Sequence, residues 1–218
     1  MEILPIAYYR SSLEGKFGLP RQSGLVPALH GKIVLQPEYA REEALRGLEG
    51  FSHIWLIWGF SLNRGGEGKL TVRPPRLGGN SRMGVFATRS PFRPNPIGLS
   101  CVRLEAIRDG VLEVSGADLA DGTPVFDIKP YLPYADRIDG ATGGFASAEE
   151  ARELLTVEFA PGVAEAFGKD ELEALAELLS QDPRPAFQDS PEREYALTYC
   201  GRNVRFRVDG RRLTVISA

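Results

Sequence analysis

Residues Phe51–Phe60 read FSHIWLIWGF, a run that is apolar and aromatic almost throughout. Such a run is what a strand covered on both faces looks like. Outward from it, PEYAREEALRGLEG (37–50) reads as a short helix that stops at Gly47 or Gly50. Further toward the N-terminus, ILPIAYY and the KIVLQ that starts at Lys32 are short strands. On the other side, RMGVFAT, IGLSCVRLEAI, GVLEVSGADL and TPVFDIKPY supply more, and Arg108-Asp109-Gly110 makes a hairpin turn between two of them. Strands this close together, with little helix between them, favour a closed or nearly closed antiparallel barrel over a doubly wound sheet. The expected fold class is mainly β, and residues 1–135 form the barrel domain.

From about Tyr134 the character of the chain changes. YADRIDGATGGFASAEE is polar and contains glycine, as a linker or surface loop does. LLTVEFA is then a strand, and GKDELEALAELLSQ a helix with Leu172, Leu175, Leu178 and Leu179 on one face. The end, EYALTYCGRNVRFRVDGRRLTVIS, alternates and turns at Gly201 and Asp209-Gly210, giving a three-stranded meander. Residues 136–218 are thus expected to form a small α+β domain that leans on the barrel.

Composition sets the frame. The chain has 218 residues, 43% of them hydrophobic and 25% charged, as in an ordinary globular protein. A formal net charge of −3 provides no global basic field and argues against a high-affinity DNA binder. Cys101 and Cys200 are too few for a disulfide framework or a metal cluster, and each reads as a small buried hydrophobe in an apolar run. No segment approaches the roughly 18 apolar residues of a membrane span, and no secretory pattern opens the chain, so the expectation is a cytoplasmic protein. There is no GxGxxG after a strand and no phosphate-binding loop of the GxxxxGK type. His30 and His53 lack the spacing of a metal site, and Ser52 and His53, as neighbours on a strand, would point to opposite faces.

The chemistry concentrates in five loops: GLPRQSG (18–24), SLNRGG (61–66), PPRLGGNSRMG (74–84), ATRSPFRPNPIGLS (87–100) and DLADGTPVFDIKPY (118–131). Glycine permits backbone turns that expose N–H and C=O groups, and proline stiffens them. One such loop is an ordinary turn; five in one half-chain, carrying Arg, Asn, Asp and Lys, point to one shared binding site. In the fourth, Pro91, Pro94 and Pro96 exclude helix and ladder while Arg89 and Arg93 offer planar charged forks and Asn95 an amide. In the fifth, a tight Asp121–Pro124 turn enters a strand on which Asp127, Lys129 and Tyr131 share a face. That trio is either a surface ion pair beside a tyrosine or one wall of a pocket able to orient a substrate and move a proton.

GLEGFSHIWLIWGF, RPPRLGG, GVFATRSPFRPNPIGLS, DLADGTPVFDIKPYLPYAD and, in the tail, QDPRPAF together resemble the TsaA/TrmO family. The resemblance covers most of the chain, with the motifs long and in order. It implies a β-barrel methyltransferase that uses S-adenosylmethionine, with no metal. It also implies action on the exocyclic nitrogen of the threonylcarbamoyl-adenosine beside the anticodon of threonine tRNA. A homodimer is implied too, with the donor bound near its interface. The DPRP segment, Asp182 to Pro185, matches the family's smaller C-terminal domain. Carried over by position, the donor-binding segments are Gln22-Ser23-Gly24, Asn63-Arg64, the region of Phe92 and Arg93, and the turn Asp121-Gly122-Thr123-Pro124. Asn63-Arg64 is the least motif-like of the four.

A sulfonium methyl needs a nucleophile in line and close, so positioning carries much of such a reaction. In the threonylcarbamoyl adduct the adenine nitrogen is part of a urea, and its N–H is more acidic. Asp127 or Tyr131 is the candidate to accept that proton, and Lys129 or Arg89 to hold the adduct's carboxylate; Asn95 is the candidate for a base edge. Two other classes remain at this point: a non-catalytic module that binds tRNA or S-adenosylmethionine, and a methyltransferase for a small molecule or protein. Methyl transfer to total tRNA, measured beside donor binding, separates them.

Overall fold

The computed structural model of the chain describes residues 2–63, 70–74, 81–146, 154–184, 188 and 190–218. Alternation builds its first half. Strand β1 (Ala7–Ser11) turns Ala7 and Tyr9 inward, and β2 (His30–Leu35) does the same with Ile33 and Leu35. A single helical turn, α1 (Glu42–Leu45), follows and Gly47 ends it in the left-handed region at φ 87°. Strand β3 (His53–Gly59) is the core of FSHIWLIWGF; Ile54, Leu56 and Trp58 are buried. Strands β4 (Thr71–Val72) and β5 (Met83–Gly84) make a two-residue ribbon. RMGVFAT is therefore not a full strand: after Gly84 it winds into a 3-10 turn, Val85–Ala87, that buries Val85.

Strand β6 (Ile97–Arg108) and β7 (Val111–Ser115) form the expected hairpin, with Asp109 and Gly110 both at positive φ. Strand β8 (Pro124–Pro130) leads into one helical turn, α2 (Pro133–Asp136). Six strands close a barrel in the order β1-β2-β7-β6-β3-β8. A barrel this narrow is filled by its own side chains, here with Ala7, Tyr9, Ile33, Ile54, Leu56, Val102, Leu112, Val114 and Val125. Two inward glycines make room for rings. A Cβ on Gly31 would overlap the ring and hydroxyl of Tyr9, and one on Gly98 would overlap the indole of Trp58.

Every barrel pairing is antiparallel, so connections alternate between the two ends. The β1–β2 loop (12–29), the β3–β6 connection (60–96) and the β7–β8 loop (116–123) therefore leave at one end. Segments 36–52, the 109–110 turn and the chain after β8 lie at the other. This single topological fact gathers all five motif loops at one rim.

Beyond residue 153, β9 (Thr156–Phe159), α3 (Lys169–Ser180), β10 (Tyr195–Tyr199), β11 (Arg202–Asp209) and β12 (Arg212–Ser217) follow. The meander gains a fourth strand: β9 pairs parallel to β12, giving the order β10-β11-β12-β9. Helix α3 starts where Glu171 accepts the Gly168 N–H at 3.0 Å, and it buries Ala174, Leu175, Leu178 and Leu179 against the sheet. Each of those leucines contributes roughly 2 kcal/mol of burial. This second core also takes Leu13, Val26 and Leu29 from the β1–β2 loop, and Leu13 bridges to Tyr199. Cys200 sits in the left-handed region (φ 50°) at the turn after β10 rather than in a strand interior, and Cys101 is half-buried. Among the described residues, no helix is long and apolar enough to cross a membrane.

Candidate active site

Three rim segments meet around a half-buried carboxylate. Gln22 and Ser23 are half-buried, and Gly24 turns at φ 80° with open space where a Cβ would be. The Gly24 N–H donates to the carbonyl of Gly116 at 2.8 Å, tying this turn to the start of the β7–β8 loop. From the proline-rich segment, Arg89 donates through Nη1 to the Gln22 side-chain oxygen. Asp118 lies beneath. It accepts the Ser100 hydroxyl at 2.5 Å and the Ser23 backbone N–H, with Arg89 close enough to act on its charge. Ser100 in turn accepts the Trp58 indole N–H at 2.9 Å. Burial pushes the Asp118 carboxyl above its usual range; Ser100, backbone N–H groups and Arg89 pull it part of the way back.

The proline-rich loop holds itself. Thr88 Oγ1 donates to Val85 O at 2.9 Å, the Phe92 N–H to Ser90 Oγ at 3.2 Å, and the Ile97 N–H to Asn95 O at 2.7 Å. Arg93 spends one donor on this framework, bonding Thr88 O at 3.1 Å. Phe92 and the Asn95 amide are exposed, and no side-chain hydrogen bond to Asn95 exists among the described residues.

The Asp121–Pro124 turn is committed to the barrel seam. Asp121 accepts the Ser11 N–H at 3.0 Å and lies 3.5 Å from Arg10, Gly122 N–H donates to Tyr9 O, and the buried Thr123 hydroxyl bonds Ala120 O. What this turn offers outward is the surface of Gly122 and Pro124. Asn63 is half-buried at the same rim, and Arg64 lies outside the described residues, as does Pro185.

Asp127, Lys129 and Tyr131 do share a face, but it is the outer wall of the barrel rather than the rim. Asp127 and Lys129 form a 2.9 Å ion pair between largely exposed side chains. Tyr131 packs its ring on Trp55 and His53, at centroid distances of 5.8 and 6.3 Å. At the strand rise of about 3.3 Å per residue, Tyr131 is roughly 20 Å down β8 from the rim. Within one chain the structure brings together Gln22, Ser23, Gly24, Arg89 and Asp118, and leaves that trio apart. Ser52 and His53 also meet, Oγ to Nδ1 at 2.9 Å, because Ser52 precedes the strand. Asp118 was passed over in the sequence, although one acid among Ala117, Leu119 and Ala120 has to find polar partners once buried.

The outer wall carries a second feature. Beside Trp55, Ile57 and Tyr131, β6 contributes Ile97, half-buried Cys101, and Leu99 at 57% exposure. FSHIWLIWGF is thus covered on its inner face only. Trp55 donates to Asp136 at 3.0 Å, which fixes α2 along the edge of this wall. No group of three or more potential metal ligands occurs among the described residues.

Against known proteins, residues 8–137 match the tRNA-methyltransferase O N-terminal domain, and residues 152–218 match the TrmO C-terminal domain. A tRNA (adenine(37)-N6)-methyltransferase of Escherichia coli K12 is 45% identical over 221 residues, 93% of this chain and 91% of that one. A protein of the same name from Eikenella corrodens is 48% identical over 163 residues, 73% and 92% of the two chains. A candidate S-adenosylmethionine-dependent methyltransferase of Pseudomonas aeruginosa is 47% identical over 203 residues, covering 89% of this chain and 87% of its own. A crystal structure of TrmO superposes at a TM-score of 0.84 with 37% identity, covering 100% of this chain and 98% of the other.

Proposed function

We infer from its place in the tRNA-methyltransferase O family, to which this chain belongs, that it is an enzyme methylating N6 of adenine 37 in tRNA. The observation that supports this most directly is the meeting of Gln22–Gly24, Arg89 and Asp118 at one barrel rim. We propose further that the base is threonylcarbamoyl-adenosine in threonine tRNA, and that the enzyme works in the cytoplasm.

The rim fits an S-adenosylmethionine donor: an exposed amide and guanidinium stand over a carboxylate that has no ion-pair partner among the described residues. The donor supplies an electrophilic methyl on a sulfonium, and the chain's task is to place the nucleophile. Gln22, Ser23 and Gly24 would hold the donor from one side, with Asn63, Phe92 and the Gly122 surface of the Asp121–Pro124 turn around it. Arg89 is the rim cation nearest the base and would hold the adduct's carboxylate; Asn95, rigid and unpaired, would read the base edge.

The apolar outer wall supports a twofold dimer, the commonest oligomer. Pairing Ile57, Ile97, Leu99 and Trp55 across the axis would bring Asp127, Lys129 and Tyr131 to the subunit boundary. Lys129 would then be a second cation for the adduct's carboxylate. Asp127 and Tyr131 remain the groups for the N6 proton there.

The test is transfer of labelled methyl groups from S-adenosylmethionine to tRNA, with mass spectrometry of the anticodon-loop nucleosides. The expected product is methylated threonylcarbamoyl-adenosine, missing from cells that lack the protein. Donor binding without transfer to any tRNA would overturn the reading.

A further inference from the structure

The polar string Trp58–Ser100–Asp118–Ser23 runs from the barrel interior to the rim, and the proposed binding roles leave it unused. Trp58 and Ser100 are buried on adjacent barrel strands, so their ends of the string are fixed by the core. The other end is the backbone of a turn whose remaining ties are Gly24 to Gly116 and Arg89 to Gln22. A carboxylate accepting from a hydroxyl and a backbone N–H makes charge-assisted bonds, stronger than neutral ones. Asp118 is therefore the strongest anchor the Gln22–Gly24 turn has on the barrel. Its charge also faces Arg89, whose guanidinium fixes the Gln22 amide.

We propose that Asp118 is the positioning residue of the donor site: it sets the Gln22–Gly24 turn through Ser23 and steadies Arg89, without itself touching the donor. The inference rests on the reading of this rim as the donor site. Asn at this position keeps the shape but turns one oxygen into a donor, and it removes the charge. Loss of a hydrogen bond to a charged group corresponds to a change of about 10- to 100-fold.

The test uses the full chain carrying Asp118→Asn in a Trp55→Phe background, which leaves Trp58 as the one indole of the two in the sequence. Three readouts are expected. Amide hydrogen exchange across residues 20–25 of the donor-free protein should quicken about 10-fold or more. The KM for S-adenosylmethionine should rise about 10- to 100-fold, while kcat at saturating donor stays within about threefold. The change in Trp58 emission on adding donor, seen with Asp118 in place, should disappear. Unchanged exchange would overturn the proposal, because Asp118 would not be setting the turn. Quickened exchange with an unchanged donor KM would overturn it too, since the turn would then not serve the donor. Absence of donor binding with Asp118 in place would instead sink the functional reading, and the exchange experiment would still decide what Asp118 does.

Discussion

Asn95 stands between Pro94 and Pro96, and nothing in the described structure holds its amide. The loop is fixed by Thr88, Ser90 and Arg93 instead. Asn95→Ala should therefore fold and melt like the parent, yet lose about 10- to 1000-fold in methyl transfer, as expected when a recognition group is removed. Normal turnover with a lower melting temperature would make the loop structural only. Tyr9 is a different case. Its hydroxyl is fully buried with no partner, and burial pushes it up to about 12 from an ordinary 10.0. A raised folded-state value means that this contribution to stability is complete below pH 10 and is lost as pH rises toward 12. Between pH 8 and pH 11 the parent should lose about 1.4 kcal/mol that Tyr9→Phe does not, read from urea midpoints. Equal losses in the two proteins would refute this.

At the scale of elements, barrel closure depends on gaps as much as on side chains. Gly98 leaves the space the Trp58 indole fills, between β3 and β6, so Gly98→Ala should cost roughly 1–3 kcal/mol by overpacking. That corresponds to about 2–4 °C of melting temperature per kcal/mol in a chain of this size. Gly84→Ala, whose Cβ would meet nothing, should be nearly silent in the same assay. These elements differ in how far the sequence revealed them. The barrel was legible because FSHIWLIWGF, IGLSCVRLEAI and the Asp109-Gly110 turn each carry their own period or punctuation. RMGVFAT misled because its apolar residues fit a strand, while the backbone at Gly84 enters a 3-10 turn. The rim loops could be read from their glycine and proline. Asp118 could not, because a lone acid in an apolar run shows neither its partners nor its depth. Asp127, Lys129 and Tyr131 were read correctly as one face, but strand alternation alone cannot say which face of a barrel looks outward.

At the scale of the molecule, the outer wall decides assembly. The proposed dimer should scatter light as twice 23.9 kDa at micromolar concentration. Leu99→Asp, on the most exposed apolar position of that wall, should give the single-chain mass and lose activity. A parent that is monomeric and fully active would remove the wall from the mechanism.

The β1–β2 loop carries a consequence for heredity as well as for chemistry. Leu13, Val26 and Leu29 belong to the tail's core, and Arg21, next to Gln22, donates to the Asp182 backbone at 3.3 Å. Damage to the tail, tens of residues from any donor contact in sequence, would thus reach the rim by loosening the wall both halves share. Leu175→Ala, expected to cost about 2–5 kcal/mol at a fully buried position, should behave as a conditional allele. Cells carrying it should modify their tRNA normally when grown cool and stop doing so on warming, with donor affinity fading before the barrel itself melts.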